Sequence, residues 1–196
     1  MNAPLQMPLL TAEEFLALPD EPGVERWLID GRVRERRHQD KTMTYRNRRH
    51  SRLEAVIAQI LRNWLAQQPW PRGEVYAGDA GCILSRDPDV LVGIDVAYVS
   101  ADMVARQSDA TTMLEGVPTL AVEILSPSDT QQDIDEKLAK YLGAGVPLVW
   151  LVDPTDQTVV VYRPQSAPEL FNIHAELTAE PHLPGFRVPV AKIFGD

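Results

Sequence analysis

Apolar residues recur along this chain with two different periods, and the switches between them mark out the elements. Leu53, Val56, Ile57, Ile60, Leu61 and Trp64 return every three or four positions, the spacing of one helix face. They predict an amphipathic helix over about His50 to Gln68, stopped at Pro69-Trp70-Pro71. Ile134, Leu138, Tyr141 and Leu142 form a second stripe over residues 130–143, with Ser128 and Gln131 as a capping box and Gly143 and Gly145 as the stop. A shorter helix is expected where Thr11 and Glu14 form a capping box ahead of Phe15, Leu16 and Leu18, ending at Pro19.

Strand patterns fill the space between these helices. Val24 to Arg34 predicts two short strands joined at Asp30-Gly31, a strong hairpin signal. Glu74 to Ala77 and Gly81 to Leu84 make one strand region with a break at Gly78 to Gly81, and Leu91 to Ser100 makes the next. A polar stretch, Ala101 to Gly116, is part helix and part loop. Thr119 to Leu125 is short, apolar and closed by Ser126-Pro127-Ser128, as a mostly buried strand would be. Leu148 to Val152 is apolar on both faces, the pattern of a central strand covered by helices, and Thr158 to Tyr162 has one exposed face. Beyond Arg163 the chain is proline-punctuated, with weak strands and a short terminal element at Val190 to Phe194. This order is α/β, a central sheet with helices on its faces. Short turns on either side of the 130–143 helix predict that the strands it joins run parallel through a right-handed crossover.

Length and composition add bounds to this picture. The 196 residues suit one substantial domain, taken as residues 11–196 behind a loose tail of residues 1–10. With 44% hydrophobic and 24% charged residues the chain has a soluble, globular composition, and no stretch approaches the ~20 apolar residues of a bilayer span. A membrane partner is therefore not expected. MNAPLQMPLLTAEEF lacks the charged and apolar regions of a secretory signal, and Cys82 is the one cysteine. A cytoplasmic location and a packing role for Cys82 are the expectations.

The net charge of -9 argues against a protein that coats nucleic acid through bulk positive charge. Its distribution is uneven, however. Nine of the nineteen basic residues fall between Arg32 and Arg52, opposed only by Glu35 and Asp40. Such a segment either follows a phosphate backbone or is paired locally. Arg46, Arg48, Arg49 and Arg52 are the candidate nucleic-acid contacts.

Two acids stand out in apolar strands. Glu123 interrupts Thr119 to Leu125, and Asp95 interrupts Gly93-Ile94-Asp95-Val96-Ala97-Tyr98-Val99. A buried carboxylate without a partner costs several kcal/mol, roughly, so each should face a cation or a polar pocket. Two such acids on neighbouring strands repel unless something positive lies between them, and oxygen ligands of this kind suit Mg²⁺. A lysine close by would orient the attacking water and stabilise developing charge. On a helical wheel Lys137 flanks the stripe of Ile134, Leu138 and Tyr141, whereas Lys140 projects away from it, so Lys137 is the candidate. The competing roles are an arginine partner for Glu123, a turn or basic partner for Asp95, and a surface pairing of Lys137 with Asp133 or Glu136. His50, within an arginine-rich stretch, is expected at the surface. Ser126 and Ser128 suit turn and cap, and the four tryptophans suit core or interface.

The segments LPDEPGVERWLIDG, GIDVAYVS, GVPTLAVEILSPSDT, DIDEKLAKY, GVPLVWLVDP and VVVYRP together resemble the Uma2 family of restriction-endonuclease-like proteins, over about residues 11 to 194. The resemblance implies a restriction endonuclease-like PD-(D/E)XK fold: a central mixed sheet flanked by helices, with an N-terminal hairpin and a C-terminal strand extension. It implies a Mg²⁺-dependent endonuclease, with Mn²⁺ as a substitute, acting on phosphodiester bonds in DNA. Asp95 and Glu123 would be metal ligands, with the Leu125 carbonyl as a further ligand and Lys137 as the catalytic lysine. A homodimer is implied too, since two copies cut two strands.

Three positions depart from the family pattern. Leu125 stands where the nuclease pattern has lysine, so the lysine must come from the following helix. Gly93-Ile94 precedes Asp95 where many relatives have Arg-Pro. Trp27 occupies a position that is often glutamate, and Glu54, four residues after His50 on the same helix face, is the possible replacement carboxylate. The alternative function is a nuclease-fold module without catalysis that binds DNA or protein.

Overall fold

The computed structural model describes residues 8–37, 47–108 and 111–195. β1 (Val24–Ile29) and β2 (Arg32–Arg37) form the expected hairpin with Ile29 opposite Arg32. Asp30 (φ 50°) and Gly31 (φ 69°) are both left-handed, as a two-residue hairpin turn of this kind requires. The hairpin joins the long strands at a single register point, Leu28 of β1 against Leu91 of β4 (Val90–Val99). β3 (Glu74–Ser85) runs antiparallel along one whole edge of β4, and the short β5 (Leu114–Glu115) extends the sheet beyond β3.

On the other edge of β4 lies β6 (Leu120–Ile124), antiparallel from Val96 to Tyr98. β7 (Leu148–Asp153) runs parallel to β6, and α4 (Gln131–Ala144) provides the crossover between them. β8 (Thr158–Tyr162) and β9 (Glu169–Phe171) continue antiparallel, completing a nine-stranded mixed sheet among the described residues. A separate pair, β10 (Glu176–Thr178) with β11 (Arg187–Pro189), precedes α5 (Val190–Phe194). α1 (Ala12–Leu16) and α3 (Ala101–Ala105) are single-turn caps on the body. No helix among the described residues is long and apolar enough to cross a membrane.

Alternation along the strands divides the core between two helices. Leu120, Val122 and Ile124 of β6, with Leu148, Trp150 and Val152 of β7, face α2 (Arg48–Leu65), which buries Leu53, Ile57, Leu61 and Trp64 against them. Ala121 and Val149, one residue out of phase, face Tyr141 and Leu138 of α4. The period of two along the strands therefore sends Glu123 to the α4 side. β4 breaks this rule. Val96 and Tyr98 belong to the α2 side and Ala97 and Val99 to the α4 side, yet Val92 and Ile94 are also on the α4 side. The alternation reverses at Asp95.

Some elements differ from the sequence expectation, each for a local reason. α4 is capped by Thr130, whose Oγ1 accepts from Asp133 N–H at 3.2 Å, and not by Ser128. The Asp129 carboxylate accepts from Ser126 N–H at 2.7 Å and closes a turn that delays the helix by two residues. α2 begins earlier than expected because Asn47 caps it, accepting from Arg49 and His50 N–H. The break expected in β3 at Gly78 to Gly81 is a bulge within one continuous strand. Three tryptophans are buried, but Trp70 is 79% exposed.

Leu61 is fully buried between α2 and the sheet. Leu61→Ala should cost about 2–5 kcal/mol in urea unfolding, whereas Leu170→Ala, at a position 65% exposed, should stay within about 0.5 kcal/mol.

Candidate active site

Asp95 sits where both edges of β4 lose regular pairing. On the β3 edge, Ala77 pairs with Val96 and Ala80 with Ile94, so Gly78 and Asp79 bulge past Asp95 with φ of 89° and 56°. On the opposite edge, pairing to β6 stops at Val96, and pairing to β1 is at Leu91. The backbone N–H of Ile124 accordingly donates to Asp95 Oδ2 at 2.7 Å. The other oxygen, Oδ1, lies 3.1 Å from Nε2 of His50. Burial alone would raise the Asp95 carboxyl; the His50 ring, the Ile124 N–H and the charge of Lys137 outweigh it and hold the group below its ordinary value.

His50 is 2% exposed, which corrects its expected surface position. It begins the series His50, Leu53, Ile57, Leu61, Trp64, the buried residues of α2. That helical spacing is present in the sequence, masked by the arginines on either side of His50. Glu54, one turn on, accepts from the bulge N–H of Gly78 at 3.2 Å. Candidate ligand atoms of His50, Glu54 and Asp95 all lie within 4.8 Å of one another. A divalent cation fits this donor set, since two carboxylates supply hard oxygens and an imidazole supplies a borderline nitrogen.

Glu123 lies on the α4 side of the adjacent strand, where a lysine meets it. Lys137 Nζ donates to Glu123 Oε2 at 3.0 Å and reaches Gly93 O at 3.5 Å. The Tyr141 hydroxyl donates a short hydrogen bond to Glu123 Oε1. Lys137 and Tyr141 are one turn apart on α4, so a single helix face supplies both donors. Lys137 Nζ also lies 6.0 Å from the centre of the buried Trp27 ring. Burial pushes Glu123 up, Lys137 pulls it down and the charge of Asp95 pushes it up again, leaving it at about 7. Burial disfavours the charge on Lys137, yet Glu123 beside it and Asp95 beyond it raise its affinity for the proton.

Lys137 is therefore oriented inward, and its surface pairing with Asp133 or Glu136 is not the one formed. Lys140 instead bonds Asp30 at 2.6 Å. Leu125 donates its N–H to Val152 O just past β6 and lines a pocket together with Glu123, Lys137, Tyr141 and Arg36. Tyr141 was legible only as a buried stripe residue; its hydroxyl contact depends on the spacing of α4 from β6.

The basic segment separates into two groups. Arg34 makes a forked ion pair with Glu136, at 2.6 Å at its shortest, and Arg36 bonds Asp129 at 2.7 Å and Asp133 at 3.2 Å. Arg37 pairs with Glu21 and Glu35. These three are locally paired. Arg48 and Arg49 are exposed in the first turn of α2, where a cation opposes the helix dipole. Arg52 donates to Phe194 O at 3.0 Å, and Arg46 lies outside the described residues. Cys82 is buried, its thiol pushed up to about 12 by that burial, in keeping with packing.

Comparison with known proteins accords with this architecture. No curated protein matches the chain significantly. In structure it is similar to a chain described as "a putative nuclease belonging to DUF820 from Anabaena variabilis ATCC 29413", with a TM-score of 0.74 and 22% identity, over 94% of this chain and 97% of that one. At that identity the likeness speaks for the fold, and the restriction endonuclease-like architecture expected from the sequence is the one found. The family model Uma2, "Putative restriction endonuclease", matches residues 12–191. That span holds all nine strands of the main sheet, both helices that cover it, and His50, Glu54, Asp95, Glu123 and Lys137, and the chain belongs to the Uma2 family.

Proposed function

We propose that residues 11–196 act as one nuclease domain that hydrolyses phosphodiester bonds in DNA with the help of a divalent cation, Mg²⁺ or Mn²⁺. One observation carries this reading. Lys137, delivered from α4 to within 3.0 Å of Glu123, supplies the cation that the nuclease pattern would have put at Leu125, and its charge also acts on Asp95. Asp95 and Glu123 serve as the acidic ligand pair, with the Leu125 carbonyl as a further ligand. When bound, the divalent ion supplies Lewis-acid polarisation of a phosphoryl oxygen and lowers the pKa of a bound water. Lys137 keeps its proton and donates to the attacking water or to a non-bridging oxygen, where negative charge develops. Tyr141 and Lys137 hold the two oxygens of Glu123 in place, so the carboxylate does not swing toward solvent. Arg48 and Arg49, with Arg46 and Arg52, are the residues assigned to the phosphate backbone in this reading. The cytoplasm and a homodimer complete the reading, two copies cutting the two strands.

Arg34, Arg36 and Arg37 are already paired, which also suits the second reading, a nuclease-fold module without catalysis. Supercoiled plasmid with Mg²⁺ or Mn²⁺ separates the two. Wild type should nick and linearise it, and Asp95→Asn, Glu123→Ala and Lys137→Met should each lose about 10²-fold or more in rate. Cleavage retained by Glu123→Ala would remove this assignment; DNA binding without cleavage by wild type would favour the second reading.

Phosphate contact has its own signature. In Arg48→Ala/Arg49→Ala the slope of log affinity against log salt should become shallower by about 1.8, since each phosphate contact contributes about 0.9 on duplex DNA. An unchanged slope would take both arginines out of the interface.

The Glu123 proton couples to stability. The group moves from 4.5 to about 7 on folding, so between those values the folded chain holds a proton that the unfolded chain has lost. The stabilisation from this group is complete below 4.5 and is lost as pH rises to about 7. In urea titrations of metal-free protein, the stability of wild type relative to Glu123→Gln should fall across that window. A difference that stays flat would contradict the shift.

A further inference from the structure

The proposal above takes its metal ligands from the acids of two strands, but the α2 side of Asp95 holds more. His50 and Asp95 are 2% and 4% exposed, so neither is a surface group that meets the other by chance. Nε2 of His50 points at Asp95 Oδ1 from 3.1 Å, and Glu54 is brought to the same point by its bond to the bulge at Gly78. Three different devices converge here: the helical spacing of His50 and Glu54, the bulge in β3, and the reversal of alternation in β4 that turns Asp95 toward α2. Among the described residues, this is the group of His, Cys, Asp or Glu in which three candidate ligand atoms meet within 4.8 Å.

We infer that His50 is a direct ligand of a divalent cation, completing a site of one imidazole and two carboxylates with Asp95 and Glu54, and that this site takes Mn²⁺ or a similar transition ion in preference to Mg²⁺. The inference rests on the metal-dependent reading of Asp95 and gives that carboxylate, on its α2 side, an ion distinct from the one it would share with Glu123. Mg²⁺ is a hard ion that dehydrates reluctantly and is bound through carboxylates, phosphates and water. An imidazole nitrogen gives it little, whereas first-row transition ions bind nitrogen well, with affinity rising from Mn²⁺ along the series. An interior histidine beside two carboxylates thus discriminates by the kind of donor it offers.

The test measures binding, independently of cleavage. Metal-free wild type is titrated by calorimetry with Mn²⁺ and with Mg²⁺, and the Mn²⁺ protein is examined by electron spin echo modulation for ¹⁴N coupled to the metal. Wild type should bind Mn²⁺ at least about tenfold more tightly than Mg²⁺ and should show directly coordinated ¹⁴N. His50→Gln should lose the ¹⁴N signal and most of the preference, with Mg²⁺ affinity nearly unchanged. Glu54→Gln should keep the ¹⁴N signal and weaken Mn²⁺ by about tenfold. Circular dichroism melting of each variant checks that it folds, and His50→Asn serves if His50→Gln does not. Wild type without a ¹⁴N signal, without a preference or without any bound metal overturns the proposal. Plasmid cleavage by a protein lacking the ¹⁴N signal would leave the nuclease reading standing and remove this one; a ¹⁴N signal without cleavage would do the reverse.

Discussion

A carboxylate on the helix-covered face of a sheet is stable only where a donor meets each of its oxygens, and for Glu123 those donors are Lys137 and Tyr141. The requirement reaches well beyond the pair. β6 must present Glu123 toward α4, so its register is fixed on both sides, antiparallel to β4 and parallel to β7. α4 must place two residues one turn apart over that point, which sets its rotation as well as its distance. Removing one partner of such a pair leaves an uncompensated buried charge, a far larger penalty than a lost surface ion pair.

The rotation of α4 is held from outside by the hairpin. Arg34 and Arg36 lie on one face of β2, two residues apart, and grip Glu136 and Asp133 along the helix, while Asp30 at the hairpin turn takes Lys140. Asp133, Glu136, Lys137 and Lys140 thus form one ridge, of which Lys137 alone turns inward to the sheet. Trp27 contributes from below. Its ring gives both Arg36 and Lys137 an aromatic surface. Two arginines of the basic segment, Arg34 and Arg36, are thus part of the clamp on the helix that carries Lys137.

Asp95 depends on a different device. A strand with unbroken alternation would have sent it to the α4 side with Glu123, where two carboxylates would compete for one lysine. The reversal in β4, matched by the bulge at Gly78 and Asp79, moves it to His50 and leaves Lys137 hydrogen-bonded to Glu123. The two acids are neighbours in the sheet and influence each other's protonation, yet each has its own partner.

Periodicity and breaker residues were enough to locate the two long helices, the hairpin turn at Asp30-Gly31, the parallel crossover and both acidic strands, because those features depend on local patterning and on burial that any packed sheet demands. Lys137 could be chosen over Lys140 by the wheel alone, since its angle to the apolar stripe is a property of the helix. The partners could not be chosen that way. His50 was hidden among arginines, Tyr141 looked like packing, and the acids that pair with Arg34 and Arg36 could not be named, because each contact joins residues at least 18 positions apart. Such contacts depend on where a bulge turns a strand and how one helix is rotated over the sheet, distances of an ångström or two that no local pattern encodes.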